Sequence, residues 1–391
     1  MKRFVLVVSF LAISVFALLM VEPFSSSEPP SSHRGSVYHS EAMEGTEDNP
    51  LARVEYEWRR LRDPATNQIP PGIAYRELEF VHRMEQEADL HAITQADDWV
   101  SRGPYNIGGR TKALAIDVTN EKNILAGSTS SGMFKSTDGG DSWVKTTAPN
   151  QLHSVTCIAQ NLAAGRESIW YYGTGDRAPY GLGSSADGFH GAHFRGDGIF
   201  KSLDGGDSWT QLSSTVSGTA SQTDAFDFVY RIVTFGDDGV LAATATGLYA
   251  SSDGGASWSH PISLDNPEIS PSTEVDKGAD GTLYATVAGG APLNGIYRSV
   301  DGDNWENISP DDWPGNTART VIGPAPSNEN VVYFFTEMPD GHQQLRKYTD
   351  GVGWTDLTRG LPFDAQMLTY GGILLVLRVK PDNEDTIFVG T

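Results

Sequence analysis

The stretch "KSTDGGDSW", Lys135 to Trp143, returns as "KSLDGGDSW", Lys201 to Trp209. Longer copies read "GMFKSTDGGDSW" (132–143), "GIFKSLDGGDSW" (198–209), "GLYASSDGGASW" (247–258) and "GIYRSVDGDNW" (295–305). A degraded copy, "LRKYTDGVGW", ends at Trp354. Successive tryptophans stand 66, 49, 47 and 49 residues apart. The unit is therefore about 48 residues with one long insertion, a period that belongs to repeat architectures. Each unit carries four strand signals. In the first, "ALAIDV" and "ILAGST" precede "GMFKS", and "WVKTT" follows. In the second, "SVTCIAQNL", "IWYYGTGD", "GIFKS" and "WTQLS" take those places. Four short strands joined by Gly/Asp turns predict an all-β fold, a β-propeller of four-stranded blades. A lone four-stranded sheet cannot bury both faces, whereas radial stacking of neighbours buries them and shields the edges.

The repeated box has the form Ser-x-Asp-x-Gly-x-x-Trp. It is met by Ser136, Asp138, Gly140 and Trp143, by Ser202, Asp204, Gly206 and Trp209, and by Ser251, Asp253, Gly255 and Trp258. It falls between the third and fourth strands of each unit. Glycine there tolerates positive φ, and the Asp carboxylate accepts backbone N–H groups across the turn. The Trp is expected to bury its ring against the blade with the indole N–H left to donate. The fourth copy (Ser299, Asp301, Trp305) and the fifth (Asp350, Trp354) each lack one residue between Asp and Trp, so their turns should differ.

These motifs resemble Asp-boxes, the repeats of sialidases, xyloglucanases, sortilin-type receptors and photosystem assembly factors. The resemblance covers residues 99–391, and it implies a structural turn with no catalytic role. "LARVEYEWRRLRDPATNQIP" and "DDWVSRGPYNIGGRTKALAIDV" resemble the approach to the propeller in large secreted bacterial proteins of the sortilin-like type. That resemblance implies further sorting or adhesion modules.

Outside the repeats, Lys2 and Arg3 precede the apolar run "FVLVVSFLAISVFALLMV" (4–21), which reads as an export signal or an uncleaved membrane anchor over residues 1–26. Residues 27–50 are polar, Ser/Pro-rich and read as a disordered linker. Residues 51–98 form a helical extension. Leu51, Val54, Trp58 and Leu61 recur at helical steps, "DPATNQIPPG" breaks the run, and a second helix is predicted over Ile73 to Leu90. Its apolar stripe is expected to pack on the propeller. The propeller takes residues 99–391, five blades and the start of a sixth. "LRVKPDNEDTIFVGT" (377–391) matches the blade opening "AIDVTNEKNILAGST" (115–129), and the sixth unit reads as truncated.

The net charge of −22 argues against nucleic acid as a partner, since phosphate binding needs a basic surface. Only 9 of the 28 basic residues are lysines, a balance that fits either a high-salt habitat or an ordinary acidic secreted protein. Cys157 is the only cysteine; it forms no intramolecular disulfide and reads as a buried structural thiol.

Function is sought in the insertion "GTGDRAPYGLGSSADGFHGAHFRGDG" (173–198), which joins the second and third strands of its blade. It therefore projects from the face opposite the boxes, and long loops of this kind carry binding roles. Asp176, Arg177, Tyr180, Asp187, His190, His193 and Arg195 form the candidate binding set for a protein or glycan ligand. No cofactor is expected and no metal is assigned, although Asp187, His190 and His193 leave a metal in the loop open.

Two stretches bear on an enzymatic role. "VYRIV" (229–233) is similar to the sialidase Tyr/Phe-Arg-Ile-Pro motif, but Val233 stands at the proline. In xyloglucanases a catalytic Asp opens a "DVGGAY"-like segment, and Thr129 of "TSSGMF" stands at that position. The expectation is an exported, non-catalytic binding or scaffold propeller, with a glycoside hydrolase carrying an unrecognised carboxylate pair as the alternative.

Overall fold

The computed structural model describes residues 58–60, 62–90, 110–176, 196–217, 224–263, 272–290, 293–361 and 375–390. The expected signal or anchor and the linker lie outside these residues. Helix α1 (Ile73–Leu90) starts just after Pro70-Pro71-Gly72, where Gly72 takes φ +65° and turns the chain into the first helical residue.

Five four-stranded antiparallel sheets follow. The first holds β1 (Thr111–Asp117), β2 (Asn120–Ser128), β3 (Gly132–Ser136) and β4 (Val144–Lys145). The second holds β5 (Cys157–Gln160), β6 (Trp170–Gly173), β7 (Ile199–Ser202) and β8 (Thr210–Gln211). The third is β9 (Val229–Phe235), β10 (Gly239–Thr244), β11 (Gly247–Ser251) and β12 (Ser259–Ser263). The fourth is β13 (Ser272–Lys277), β14 (Leu283–Gly290), β15 (Gly295–Ser299) and β16 (Glu306–Asn307), with the short β17 (Asn316–Thr317) pairing β14. The fifth is β18 (Arg319–Pro324), β19 (Val331–Glu337), β20 (Gln343–Thr349) and β21 (Gly353–Asp356), and β22 (Val376–Lys380) pairs β23 (Asn383–Gly390).

Within each sheet the strands pair in chain order, and the first strands of successive sheets lie side by side: β1 by β5, β5 by β9, β9 by β13, β13 by β18 and β18 by β22. This is the β-propeller expected from the repeats, with first strands lining the axis.

Apolar packing lies between sheets. The core between the first two sheets holds Leu125, Met133, Val155, Trp170, Tyr172 and Phe200. Val229, Ile232 and Val240 meet Tyr171 and Ile199 across the next boundary. Further cores join the third sheet to the fourth, the fourth to the fifth, and the fifth to β22 and β23. Sandwiching explains why β10 is buried at all six positions and does not alternate. Side chains such as Phe200 and Ile199, 1% and 0% exposed, each contribute about 1.5–3 kcal/mol by burial.

The expected packing of the α1 apolar stripe is corrected. Phe80, Val81 and Met84 are 56%, 50% and 54% exposed. The helix meets the propeller through a polar contact instead, in which Gln211 Nε2 donates to the Tyr75 hydroxyl.

Candidate functional site

The boxes occupy the links from third to fourth strand. In the first three, the serine hydroxyl donates to its Asp Oδ1 (2.7, 2.6 and 2.8 Å) and accepts the N–H of Gly140, Gly206 or Gly255 at 2.8 Å. The Asp Oδ1 accepts the N–H of Ser142, Ser208 or Ser257 (2.9, 3.0 and 2.9 Å), and Oδ2 accepts the same serine's hydroxyl. Hydrogen bonds led by those of Ser257 hold the Asp253 carboxyl down to about 2. For Asp204 slight burial acts the other way, but bonds from Ser202, Ser208 and Asp207 outweigh it and hold the group at about 2.

The shortened copies differ as their spacing implies. Gly302 N–H reaches Ser299 Oγ one residue sooner, and Asp301 accepts Asp303 N, Asn304 N and Asn304 Nδ2. The fifth copy has no serine, and Asp350 instead accepts Arg298 Nη2 at 3.0 Å. Each intact box carboxylate is occupied by its own turn, which leaves it little to offer a substrate.

The tryptophans do not all bury as expected. Trp209 is 5% exposed but Trp143 is 40% exposed. Trp209 Nε1 donates to Thr146 Oγ1 of the preceding repeat, whereas Trp143 Nε1 returns to its own Gly140 O. Trp209 buries its ring because it has the first sheet to pack on.

Across the disc, β6 and β7 carry the insertion, of which the roots are described. Arg177, Tyr180, Asp187, His190, His193 and Arg195 lie outside the described residues. Asp176 is buried, and it joins Arg110 Nη1 and Lys112 Nζ, both at 2.9 Å, at the start of β1. On the other root, Asp197 Oδ1 accepts Ser217 N at 2.7 Å, while its carbonyl accepts Gln211 Nε2. Burial, reinforced by the Asp197 charge, pushes the Tyr75 hydroxyl well above its ordinary value. Among the described residues no group of three His, Cys, Asp or Glu could hold a metal ion.

A second cluster was missed by the sequence reading. Arg231 on β9, Glu274 and Asp276 on β13, Arg319 on β18 and Arg378 on β22 project from the first strands and meet at the axis. Arg231 Nη2 is 3.2 Å from Asp276 Oδ2, and its Nε is 3.7 Å from Glu274 Oε1. Arg319 Nη2 lies 3.3 Å from Glu274 Oε2, and Arg378 Nη1 lies 3.9 Å from Asp276 Oδ2. Burial opposes the Arg231 charge, but Asp276 and Glu274 outweigh it and raise its pKa. Arg378 moves the other way: burial first, then the like charge of Arg231, lower it.

The signal was present as charges in the first strands: Arg231 in "VYRIV", Glu274 and Asp276 in "TEVDK", and Arg378 in "VLRVK". Thr129, at the xyloglucanase Asp position, is buried and donates its backbone N–H to Arg110 O at 3.3 Å.

Comparison with known proteins fits this architecture. A xyloglucanase from Paenibacillus sp is 28% identical over 316 residues, covering 71% of this chain and 28% of that protein. The crystal structure of an ancestral GH74 enzyme superposes with a TM-score of 0.50 at 20% identity, covering 73% of this chain and 35% of that one. The fold is a glycosyl-hydrolase-like β-propeller. A weaker likeness is to YCF48 from Cyanidioschyzon merolae, with a TM-score of 0.42 at 12% identity over 65% of this chain and 73% of that chain. No family model matches. The propeller chain thus spans about a third or less of the length of the xyloglucanase and the GH74 enzyme.

Proposed function

We propose that this propeller is an exported, non-catalytic glycan-binding module whose ligand seats on the axial face that carries the insertion and the charged cluster. The observation that carries the reading is the pairing of both axial carboxylates with arginine. Glu274 lies between Arg231 and Arg319, and Asp276 joins Arg231. A glycosidase acid must keep its proton, which takes an apolar surround rather than a guanidinium. Arginine–carboxylate pairs suit hydrogen bonding to sugar hydroxyls instead. Similarity to a xyloglucanase supports glycan contact and export.

The runner-up is glycoside hydrolysis. Glu274 and Asp276 are two positions apart on β13, so they share a face, and both reach the Arg231 guanidinium. That proximity gives the alternative a specific carboxylate pair, as retaining hydrolysis requires.

A glycan array followed by titration calorimetry on the full chain tests the primary reading, with reducing-sugar release measured on each bound glycan. Binding without release is expected. Release that E274Q abolishes would transfer the assignment to the hydrolase.

A further inference from the structure

We infer that the seam between the second and third sheets is an acid-opened joint, and that His260 is the group that opens it. The inference concerns the scaffold beneath the axial face and holds whatever ligand that face takes.

His260 lies on β12 with its ring stacked on Tyr249 of β11, centroids 4.0 Å apart and planes 13° from parallel. Tyr249 in turn meets Phe226 at 4.8 Å, and Phe226 meets Trp258 at 5.2 Å. Phe226 belongs to the link from the second sheet to β9 and is part of the core that joins the two sheets. Its carbonyl accepts the N–H of Gly198 at 3.0 Å, and the Asp227 carbonyl accepts that of Gly196 at 3.0 Å. The stack therefore backs the segment from which the root of the insertion hangs.

The imidazole is placed to stay neutral. Its Nε2 is buried and has no hydrogen-bond partner. Gly247 closes over that atom, since a Cβ there would stand 2.7 Å from Nε2 and 2.5 Å from Ile262 O. A protonated ring donates from both nitrogens. Acid would thus create a buried N–H with nothing to receive it, a costly state. The Tyr249 face attracts a cation, but it supplies no acceptor in the plane of the imidazole.

The neighbours do not offset this. Tyr249 is titratable, yet burial raises its phenol, whose oxygen meets Thr246 Oγ1 at 3.2 Å, and it stays neutral. Asp224 and Asp227 flank Phe226 and Asp253 sits in the adjoining box, but among the described residues no charged group acts on the ring. Burial lowers the His260 pKa below its ordinary 6.5, against a weaker opposing hydrogen bond to the Thr246 backbone. Opening the seam returns the ring to water and to that ordinary value. The closed seam is therefore favoured above pH 6.5 and loses ground as pH falls. Between pH 7.5 and pH 5 its open population should rise by up to about thirtyfold, the protonation ratio of a free imidazole.

The test is amide exchange on the full chain at both pH values, each corrected for the intrinsic rate. Opening should rise by about tenfold or more in peptides covering 196–201 and 244–263, and remain unchanged in peptides covering 319–349. H260F keeps an aromatic ring on Tyr249 and cannot titrate, so its seam should open equally at both pH values. His153, also held down by burial, remains in that variant, as do His190 and His193. An acid response that persists in H260F belongs to another histidine, and the inference falls. It falls too if the wild-type seam opens equally at both pH values, or if the fifth sheet opens as much. A second measurement does not depend on how well H260F folds: the wild-type His260 ring resonance should shift in step with the opening. Titration of that resonance at its ordinary value, with the seam still closed, would overturn the assignment.

Discussion

The indole Nε1 of Trp209 donates to Thr146 Oγ1 at 3.0 Å, across the boundary from the second sheet to the first. The same reach recurs where Trp258 Nε1 donates to Ser214 Oγ and Trp354 Nε1 to Ile308 O, each in the preceding repeat. The glycine of the box approaches that neighbour too: a Cβ on Gly206 would stand 2.9 Å from Leu125, and one on Gly255 would stand 2.5 Å from Leu212. The box shapes its own turn and, in the second, third and fifth copies, its indole also bonds to the preceding repeat, whereas Trp305 Nε1 returns to its own Gly302 O.

This coupling separates two tryptophans that the motif treats as equal. Trp209 packs edge-on against Tyr172 at 4.7 Å and is nearly buried, whereas Trp143 is 40% exposed and bonds within its own turn. W209A should therefore cost about 3–5 kcal/mol, as for deletion of a buried aromatic. W143A should cost much less. Urea denaturation of both variants checks this, and equal losses would show that the boundary contact contributes nothing.

Acid should weaken the boxes. Asp204 and Asp253 are held at about 2 in the folded chain, below the ordinary carboxylate value of 3.8. A depressed folded pKa contributes stability that is present above the unfolded value and lost as pH falls through the folded one. Melting temperature should hence fall between pH 5 and pH 2, the window set by those two values. D204N should melt lower than the wild type at pH 7, and the gap should narrow toward pH 2. A gap of constant size across that range would contradict the assignment of charge to Asp204.

How much of this could be read from sequence depends on how local the cause is. The Ser–Asp–Gly turn is fixed by contacts two to four residues apart, such as Ser202 to Asp204 and to Gly206, so the motif displays them directly. The strands followed, because glycine and aspartate mark their ends. Partners across sheets were not legible: Trp209 and Thr146 are separated by 63 residues, and nothing near either names the other. The axial cluster was hidden for the same reason. Arg231 meets Asp276 from 45 positions away, and charges in short strands resemble solvent-facing positions until the strands are arranged around an axis. The insertion was found by its length, and its described roots show Asp176 turned toward β1.

Cys157 should be inert in the native chain. Burial pushes its thiol up to about 12, and Sγ lies 3.8 Å from the Val229 carbonyl on the neighbouring sheet. Thiolate is the reactive form, so a disulfide reagent at pH 8 should label the folded protein only as fast as it opens. Full labelling should follow at once in denaturant. Rapid stoichiometric labelling without denaturant would place this thiol at an accessible surface.

The insertion root offers a comparison between two glycines with similar backbones. Gly175 takes φ +87° and Gly165 takes φ +80°, so alanine at either carries the left-handed penalty of about 1–2 kcal/mol. Their surroundings differ. A Cβ on Gly165 meets nothing within 4 Å, whereas one on Gly175 would lie 1.9 Å from the Asp227 carbonyl oxygen and 3.0 Å from Gly196 N. Those atoms are backbone, and Gly196 N–H already donates to the same Asp227 oxygen at 3.0 Å, so neither moves without breaking the seam between the insertion and the third sheet. G175A should consequently lose several-fold more stability than G165A in urea denaturation. Because Asp176 is adjacent, G175A should also disturb the Arg110 and Lys112 contacts, which accelerated amide exchange at the start of β1 would report. Matching losses in the two variants would mean that the left-handed turn alone, and not the close approach of the two chains, demands glycine at the root.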